Sequence, residues 1–137
     1  LGAMLPVGAA LETTGAAERV AAVILFASEG LPLILAIALM LVIAMMLSDI
    51  VNNVAAAVLL IPIAISVATG LGASPDAFLM AVAVGASSAF LTPIGHQSNV
   101  LVMGPGGYQF SDYWRVGLPL EIVIVMVATP IITLVWA

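Results

Sequence analysis

The sequence predicts an all-α integral membrane protein, and three observations support this fold class. The chain has two basic and seven acidic residues among 137, and 64% of its residues are hydrophobic. Its mean hydropathy is +1.34, whereas a soluble domain carries about 25% charged residues. Apolar runs of fifteen residues or more recur along the chain, as expected of helices that lie in a bilayer.

The scarcity of charge and the absence of cysteine exclude several classes of function. Arg19 and Arg115 are the only basic residues apart from one histidine, so we expect no nucleic-acid partner and no patch for anionic lipid headgroups. Without cysteine there are no disulfides, thiolate metal sites or cysteine nucleophiles. No initiating methionine and no basic n-region precede Arg19. We therefore expect the chain to begin inside a longer protein, after a missing N-terminal half.

The sequence divides into four predicted segments. Residues 1–30 contain the end of a membrane span and a connecting arm helix, Ala16–Ser28, whose two charges lie at one end. Residues 31–70 are apolar except for the polar stretch SDIVNNV. Residues 77–104 form a helix broken by TPIGHQSN, and residues 114–137 form the last transmembrane helix.

The last transmembrane helix has clear boundaries. Trp114 and Trp136 are 22 residues apart, about 33 Å along a helix, and tryptophan favours the two membrane interfaces. Arg115 beside Trp114 predicts that this end faces the cytoplasm, which places the C-terminus on the outer side. Glu121 lies one turn inside the helix, and we expect its side chain to extend toward the surface or to pair with Arg115.

The segment at 31–70 is predicted to form a re-entrant hairpin. Leu31–Leu47 and Val54–Ala68 would be about 26 and 23 Å long as helices, short for independent spans of a core about 30 Å thick. Either one helix continues through the polar stretch, or the chain turns at Asn52-Asn53 and two half-helices meet at a tip formed by 48–54. Unwound backbone is tolerated only where protein or a water-filled cavity surrounds it.

The polar side chains of this tip are typical of an ion site. Asp49 is the only charged residue between Glu29 and Asp76, and an acid in a membrane segment usually faces protein or water and has a function. A helix that begins near Asn53 would present its N-terminus to an anion. The oxygen of Ser48 and unwound carbonyls would hold a small cation, as in other transporters with broken helices.

The second polar stretch, 91–99, has similar chemistry. Pro93 removes a backbone donor, and Gly95 permits backbone conformations that other residues avoid. Thr92, Gln97, Ser98 and Asn99 supply uncharged donors and acceptors. We expect His96 to be a hydrogen-bonding support and not a ligand.

Two enzyme classes are disfavoured by spacing. An intramembrane serine protease needs a Gly-x-Ser nucleophile and a histidine base on another helix. Ser87 and His96 supply these residue types, but they are nine residues apart across a proline. An aspartyl protease needs two acids within the membrane, and Asp49 is the only one placed centrally. We therefore expect no enzyme activity.

Both polar stretches, with their flanks, resemble the C-terminal half of the divalent-anion:sodium symporter family. The resemblance is carried by SDIVNNVAAAVLLIPI and by LTPIGHQSNVLVMGPGGYQFSDYWRVGLPLEI, and it extends over essentially the whole chain. Members of this family carry dicarboxylates, citrate or sulfate and form dimers. The resemblance implies a partial inverted repeat with a re-entrant helical hairpin and a discontinuous transmembrane helix.

The resemblance also implies roles for individual residues. The family has a Ser-Asn-Thr tip, of which this sequence keeps Asn53, while Asn52 replaces the serine and Val54 replaces the threonine. The implied substrate-binding residues are Asn52, Asn53, Val54, Thr92 and Pro93. The implied cation-binding residues are Ser48, Val51, Asn53 and Leu91, with sodium as the ion, and Asp49 is a possible coupling residue. Because valine has no hydroxyl, one donor to a carboxylate substrate is lost.

The sequence thus predicts a cation-coupled symporter of small divalent anions such as sulfate or dicarboxylates, working by alternating access. The alternatives are a proton-coupled or arsenite-type anion permease of the same superfamily, or a membrane subunit that does not transport. We expect no cofactor apart from cotransported sodium. The expected partners are a small anion, Na⁺ or H⁺, the lipid bilayer, the N-terminal half and a second copy of the protein. The expected location is a prokaryotic inner membrane.

Overall fold

The computed structural model describes residues 6, 10, 13–28 and 30–137. Most of the predicted N-terminal span end, in residues 1–11, lies outside these residues. The described part is all-helical and contains no strand. Its helices are α1 (Ala16–Ser28), α2 (Leu33–Ile50), α3 (Asn53–Leu71), α4 (Pro75–Ala86), α5 (Gln97–Gly106) and α6 (Phe110–Trp136).

Three of these helices, α2, α3 and α6, are long and apolar enough to cross a membrane. Helices α2 and α3 have 18 and 19 residues, or about 27 and 28 Å at 1.5 Å per residue. They are longer than the apolar runs that predicted them, because the polar residues at their ends remain helical. By length and composition both helices could cross a membrane, so length does not distinguish a full span from a re-entrant half-helix.

The predicted helix break at the first polar stretch is present. Helix α2 ends at Ile50 and α3 begins at Asn53, with Asn52 as its N-cap. At its other end α3 is closed by Gly72, whose φ of 64° is the left-handed conformation that glycine adopts without strain. The chain therefore forms two helices joined by a two-residue connection.

The second break begins earlier than the sequence predicts. Helix α4 ends at Ala86 instead of continuing to Leu91, and α5 begins at Gln97. The hydroxyls of Ser87 and Ser88 donate to the carbonyls of Ala83 and Val84 at 2.8 and 2.7 Å. Such bonds to the preceding turn compete with the regular helical pattern, and this explains why α4 stops at the two serines.

The core lies between α2 and α4, with α3 and α6 packed beside them. Close approach of α2 and α4 depends on Gly85, where a Cβ would lie 2.6 Å from both the Ala44 Cβ and the Leu41 carbonyl oxygen. The largest fully buried apolar side chains of this core are Phe78, Ile37, Met40, Leu41, Met45, Val67 and Val82. Helix α1 packs on α3, and α6 leaves much of its apolar surface exposed.

Candidate functional site

At the tip between α2 and α3, side chains of the tip itself accept hydrogen bonds from the first amides of α3. The Oδ1 atom of Asn52 accepts a hydrogen bond from the Ala55 amide at 2.9 Å, as an N-cap does. The Oδ1 atom of Asn53 accepts one from the Val54 amide at 2.9 Å. Two of the N–H groups that an incoming anion would use are therefore bonded to the tip's own side chains.

This tip opens on a cleft of about 820 Å³. Its lining residues are Val51, Asn52, Asn53, Val54, Ala55, Ile94, Gln97, Val100 and Leu101. The first turns of α3 and α5 thus border the same space. Since a helix N-terminus carries a partial positive charge, the cleft combines two such ends with amide side chains, and no carboxylate lines it.

The N-terminus of α5 is capped by a histidine. Nδ1 of His96 accepts from the Ser98 amide at 3.2 Å and lies 2.6 Å from the Ser98 hydroxyl. The expectation that His96 is a hydrogen-bonding support is confirmed. Gln97 lines the cleft beside it, a position that the sequence did not distinguish from its polar neighbours.

A second group of predicted residues lies at the end of α2, against the second break. The Ser48 hydroxyl is fully buried and donates to the Ala86 carbonyl at 2.7 Å. Asp49 Oδ1 accepts from the Leu91 amide at 3.0 Å, and the Thr92 hydroxyl donates to the Asp49 carbonyl at 2.6 Å. These bonds join α2 to the break. Ser48, Leu91, Thr92 and Pro93 do not line the cleft at the tip.

Glu121 lies where the sequence did not place it. It is 7% exposed, and its Oε1 atom accepts from the Phe90 amide at 3.0 Å. Its carboxyl is a neighbour of the Asp49 carboxyl, since the two accept from the successive amides of Phe90 and Leu91, while Arg115 is exposed. The expectation that Glu121 extends to the surface or pairs with Arg115 is wrong, because the amide donors of the break hold it inward.

One sequence signal could have located Glu121. Gly117 is one helical turn before Glu121 on the same face, and it packs directly on the Phe90 carbonyl, with no room for a Cβ. A glycine on the acid's face of an otherwise large-residue helix indicates close approach of another backbone. That backbone is the second break, whose N–H groups need acceptors because the chain there is not helical.

Asn99 holds the second break from the α5 side. Its Nδ2 atom donates to the carbonyls of Ala89 at 3.1 Å and Thr92 at 3.4 Å. The Tyr113 hydroxyl, on α6, donates to the Asn99 carbonyl at 2.7 Å. Tyr113 was not singled out in the sequence, since a tyrosine beside Trp114 is equally typical of a membrane interface.

The described residues contain no group of three or more His, Asp or Glu side chains that could hold a metal ion. The predicted cation ligands are instead a hydroxyl, an amide oxygen and two carbonyls, oxygen atoms of the kind that hard cations prefer. The Ser48 hydroxyl uses its hydrogen on Ala86 and keeps lone pairs for a cation. This donor set is chemically compatible with sodium.

The protease alternative has no geometric support in the described residues. The Ser87 hydroxyl donates to Ala83, one turn back on α4, and Nδ1 of His96 is occupied by Ser98. A serine nucleophile would need to be hydrogen-bonded to its base.

Comparison with known proteins identifies the family. The sequence profile of the citrate transporter family, CitMHS, matches residues 1–137. The chain belongs to this family. The resemblance to divalent-anion:sodium symporters that the sequence predicts is confirmed. The chain is thus part of a transporter family, and its apolar helices are those of an integral membrane protein.

Individual relatives have transporter names. The chain is 37% identical over 134 residues to an uncharacterized transporter of Synechocystis sp. (98% of the chain, 22% of that protein). It is 32% identical over 129 residues to sodium/sulfate cotransporter 1 of Chlamydomonas reinhardtii (93% and 15%). It is 32% identical over 101 residues to sodium-dependent high-affinity dicarboxylate transporter 3 of Caenorhabditis elegans (72% and 18%). The chain therefore spans about a fifth or less of the length of these relatives.

Proposed function

We propose that this chain supplies one half of the transport site in a sodium-coupled symporter of small divalent anions, sulfate or a dicarboxylate. The observation that carries this proposal is the cleft in which the first turns of α3 and α5 meet beside Asn52 and Asn53. An anion there is stabilised by two helix N-termini and amide donors, without a basic side chain.

The anion replaces bonds that the tip makes to itself. The side-chain oxygens of Asn52 and Asn53 accept from the amides of Ala55 and Val54. An oxyanion that takes over these N–H groups forms charge-assisted hydrogen bonds, which are roughly twice as strong as neutral ones. The displaced amide side chains can then turn their own N–H donors toward the anion. Val54 offers only a methyl surface, which favours a compact tetrahedral anion such as sulfate.

The substrate residues of this proposal are those that the resemblance implies. Asn52, Asn53 and Val54 contact the anion directly, while Thr92 and Pro93 shape the break that carries α5. The Thr92 hydroxyl is bonded to the Asp49 carbonyl, so its part is to connect the two breaks. Sodium is held by Ser48, Asn53 and the carbonyls of Val51 and Leu91, and its charge offsets that of the anion.

Alternating access needs more chain than is present here. We propose that residues 31–70 are a re-entrant hairpin with its tip at 48–54, that residues 77–104 are the discontinuous helix opposite it, and that residues 114–137 are the last transmembrane helix. The N-terminal half of the full-length protein supplies the inverted repeat that completes the site, and the protein works as a homodimer. The membrane is a prokaryotic inner membrane, with the C-terminus on the outer side.

Uptake by the full-length protein in proteoliposomes tests the proposal. Sulfate and succinate are offered with and without an inward sodium gradient, to the wild type, to Asn53→Ala and to Thr69→Ala. Thr69 is an exposed α3 residue whose hydroxyl donates to the Ile65 carbonyl, one turn back, so its variant is the matched control. We expect Asn53→Ala to lower sodium-driven uptake about tenfold or more, as loss of hydrogen bonds to charged groups does, and the control to retain it.

Three outcomes would contradict the proposal. If uptake of either anion ignores Asn53, the tip is not the site. If a proton gradient drives uptake and a sodium gradient does not, the proton-coupled permease replaces the symporter. If the wild type takes up neither anion, the arsenite-type or the structural alternative is favoured.

A further inference from the structure

The buried carboxyl pair formed by Asp49 and Glu121 has one atom that the fold does not account for. Asp49 is 3% exposed, and its Oδ2 atom is buried with no hydrogen-bond partner among the described residues. A buried charged oxygen without a donor is strongly unfavourable unless a positive partner is present. The other oxygen, Oδ1, accepts from the Leu91 amide. Only one of the two carboxyl oxygens therefore has a structural hydrogen bond.

No basic side chain supplies the missing charge. The chain has two arginines, and Arg19 on α1 and Arg115 on α6 are both exposed. Nδ1 of His96, in the same break, is bonded to Ser98. Glu121, the titratable neighbour that α6 presents to Asp49, is a second acid and supplies no positive charge.

Backbone amides do not neutralise the pair either. Phe90 donates to Glu121 at 3.0 Å and Leu91 donates to Asp49 at 3.0 Å. Each of these two bonds occupies one oxygen of its carboxyl, and Asp49 Oδ2 is left without a donor. The local arrangement is therefore two neighbouring acids that accept from successive amides of the break, with one carboxyl oxygen of Asp49 unpaired.

We propose that Asp49 and Glu121 bind a small monovalent cation between their carboxyls, at a position separate from the Asn53 tip. Hard cations take carboxylate and carbonyl oxygens as ligands. A divalent ion would require more carboxylates, and the described residues gather no third acid or histidine here.

This site goes beyond the proposed function, because the symport proposal needs only the cation at the tip. A cation at the pair would join α2, α6 and the second break, since Asp49 and Glu121 bond to successive residues of that break. Its occupancy would therefore control how firmly the break, and with it the N-terminus of α5, is held against α2.

Equilibrium binding of radioactive sodium to the purified full-length protein tests the site, with choline chloride holding the ionic strength constant. The variants are Asn53→Ala, which weakens the tip site, and Asn53→Ala combined with Asp49→Asn or with Glu121→Gln. Both amides keep an acceptor for the Leu91 or Phe90 N–H, so the fold is preserved. Asp76→Asn, in the first turn of α4 and exposed, is the control for loss of an acid.

We expect Asn53→Ala to lose the sodium bound at the tip and to keep the sodium bound at the pair. Either added amide should weaken this remaining binding about tenfold or more, while Asp76→Asn has no effect. If one amide variant does not fold, the other makes the same test, because each removes one of the two charges. Sodium binding in the Asn53→Ala background that both amides leave unchanged would overturn the proposal, as would its complete absence there.

A third result is diagnostic of a different ligand. Suppose that sodium does not bind the pair, and that the wild type shows the infrared carbonyl band of a protonated carboxylic acid. If Glu121→Gln loses this band, a proton satisfies Oδ2 and the cation site is overturned. The uptake measurements test the proposed function separately from the cation site at the pair. If the wild-type protein shows no sodium-driven uptake of either anion but binds sodium at the pair, the proposed function alone is contradicted.

Discussion

The two helix breaks of this molecule are built in opposite ways. The break between α2 and α3 is two residues long, and the side chains of Asn52 and Asn53 satisfy its free amides locally. The break between α4 and α5 spans ten residues, 87–96, and is held by side chains from other elements.

The two breaks differ in whether their polar side chains can bind a ligand or are needed to hold the fold. A tip whose amides are bonded to its own side chains can be exposed, and this tip borders a cleft. A long break depends on Asp49, Glu121 and Asn99 to complete its hydrogen bonds, so these polar residues are buried or half-buried and committed. Disturbing the second break should therefore cost stability, whereas disturbing the first should mainly change binding.

The largest effect is expected from filling the contact between α6 and the second break. In Gly117→Ala the new methyl group would meet the Phe90 carbonyl with no flexible side chain to move aside. Overpacking of this kind costs about 1–3 kcal/mol or more, measured as the free energy of unfolding in detergent. Gly104→Ala is the matched control on α5, where nothing lies within 4 Å, and it should leave stability unchanged or slightly raised. Equal effects of the two changes would contradict the close contact.

An intermediate effect is expected from removing the acceptor that α6 provides. Glu121→Ala leaves the Phe90 amide without its partner, at a cost of about 1–3 kcal/mol in the free energy of unfolding. Glu121→Gln keeps an acceptor oxygen and should lose clearly less. The comparison is made by thermal unfolding in one detergent with sodium absent, so that cation binding does not contribute. If alanine and glutamine are equivalent, the Phe90 bond does not stabilise the break.

The smallest effect on stability is expected at the first break. Asn52→Ala removes the N-cap of α3, which is worth about 1 kcal/mol, and Asn52→Ser should recover most of this because serine also caps. Thermal unfolding of the three proteins provides the ranking. If Asn52→Ala lowers the stability as much as Gly117→Ala does, the proposed difference between the two breaks is contradicted.

Much of this architecture is readable in the sequence because it follows from hydropathy and backbone chemistry. Asparagine before an alanine-rich run predicts the start of α3, and it begins at Asn53. The second break was placed too late, since back-bonding by Ser87 and Ser88 is a local competition with no hydropathy signal. The tip residues were named through their family resemblance, and three of them, with Val51, line one cleft.

The sequence by itself determined the membrane class, the positions of the polar interruptions and the family, because apolar runs, helix caps and motif residues act over a few neighbouring positions. Only the tertiary structure decided that Glu121 lies beside Asp49, 72 positions earlier, and that Gln97 borders the same cleft as Asn53. The physical reason is that unwound backbone takes its acceptors from whichever helix passes nearby. Which helix does so depends on contacts such as those at Gly85 and Gly117, whose partners are remote along the chain.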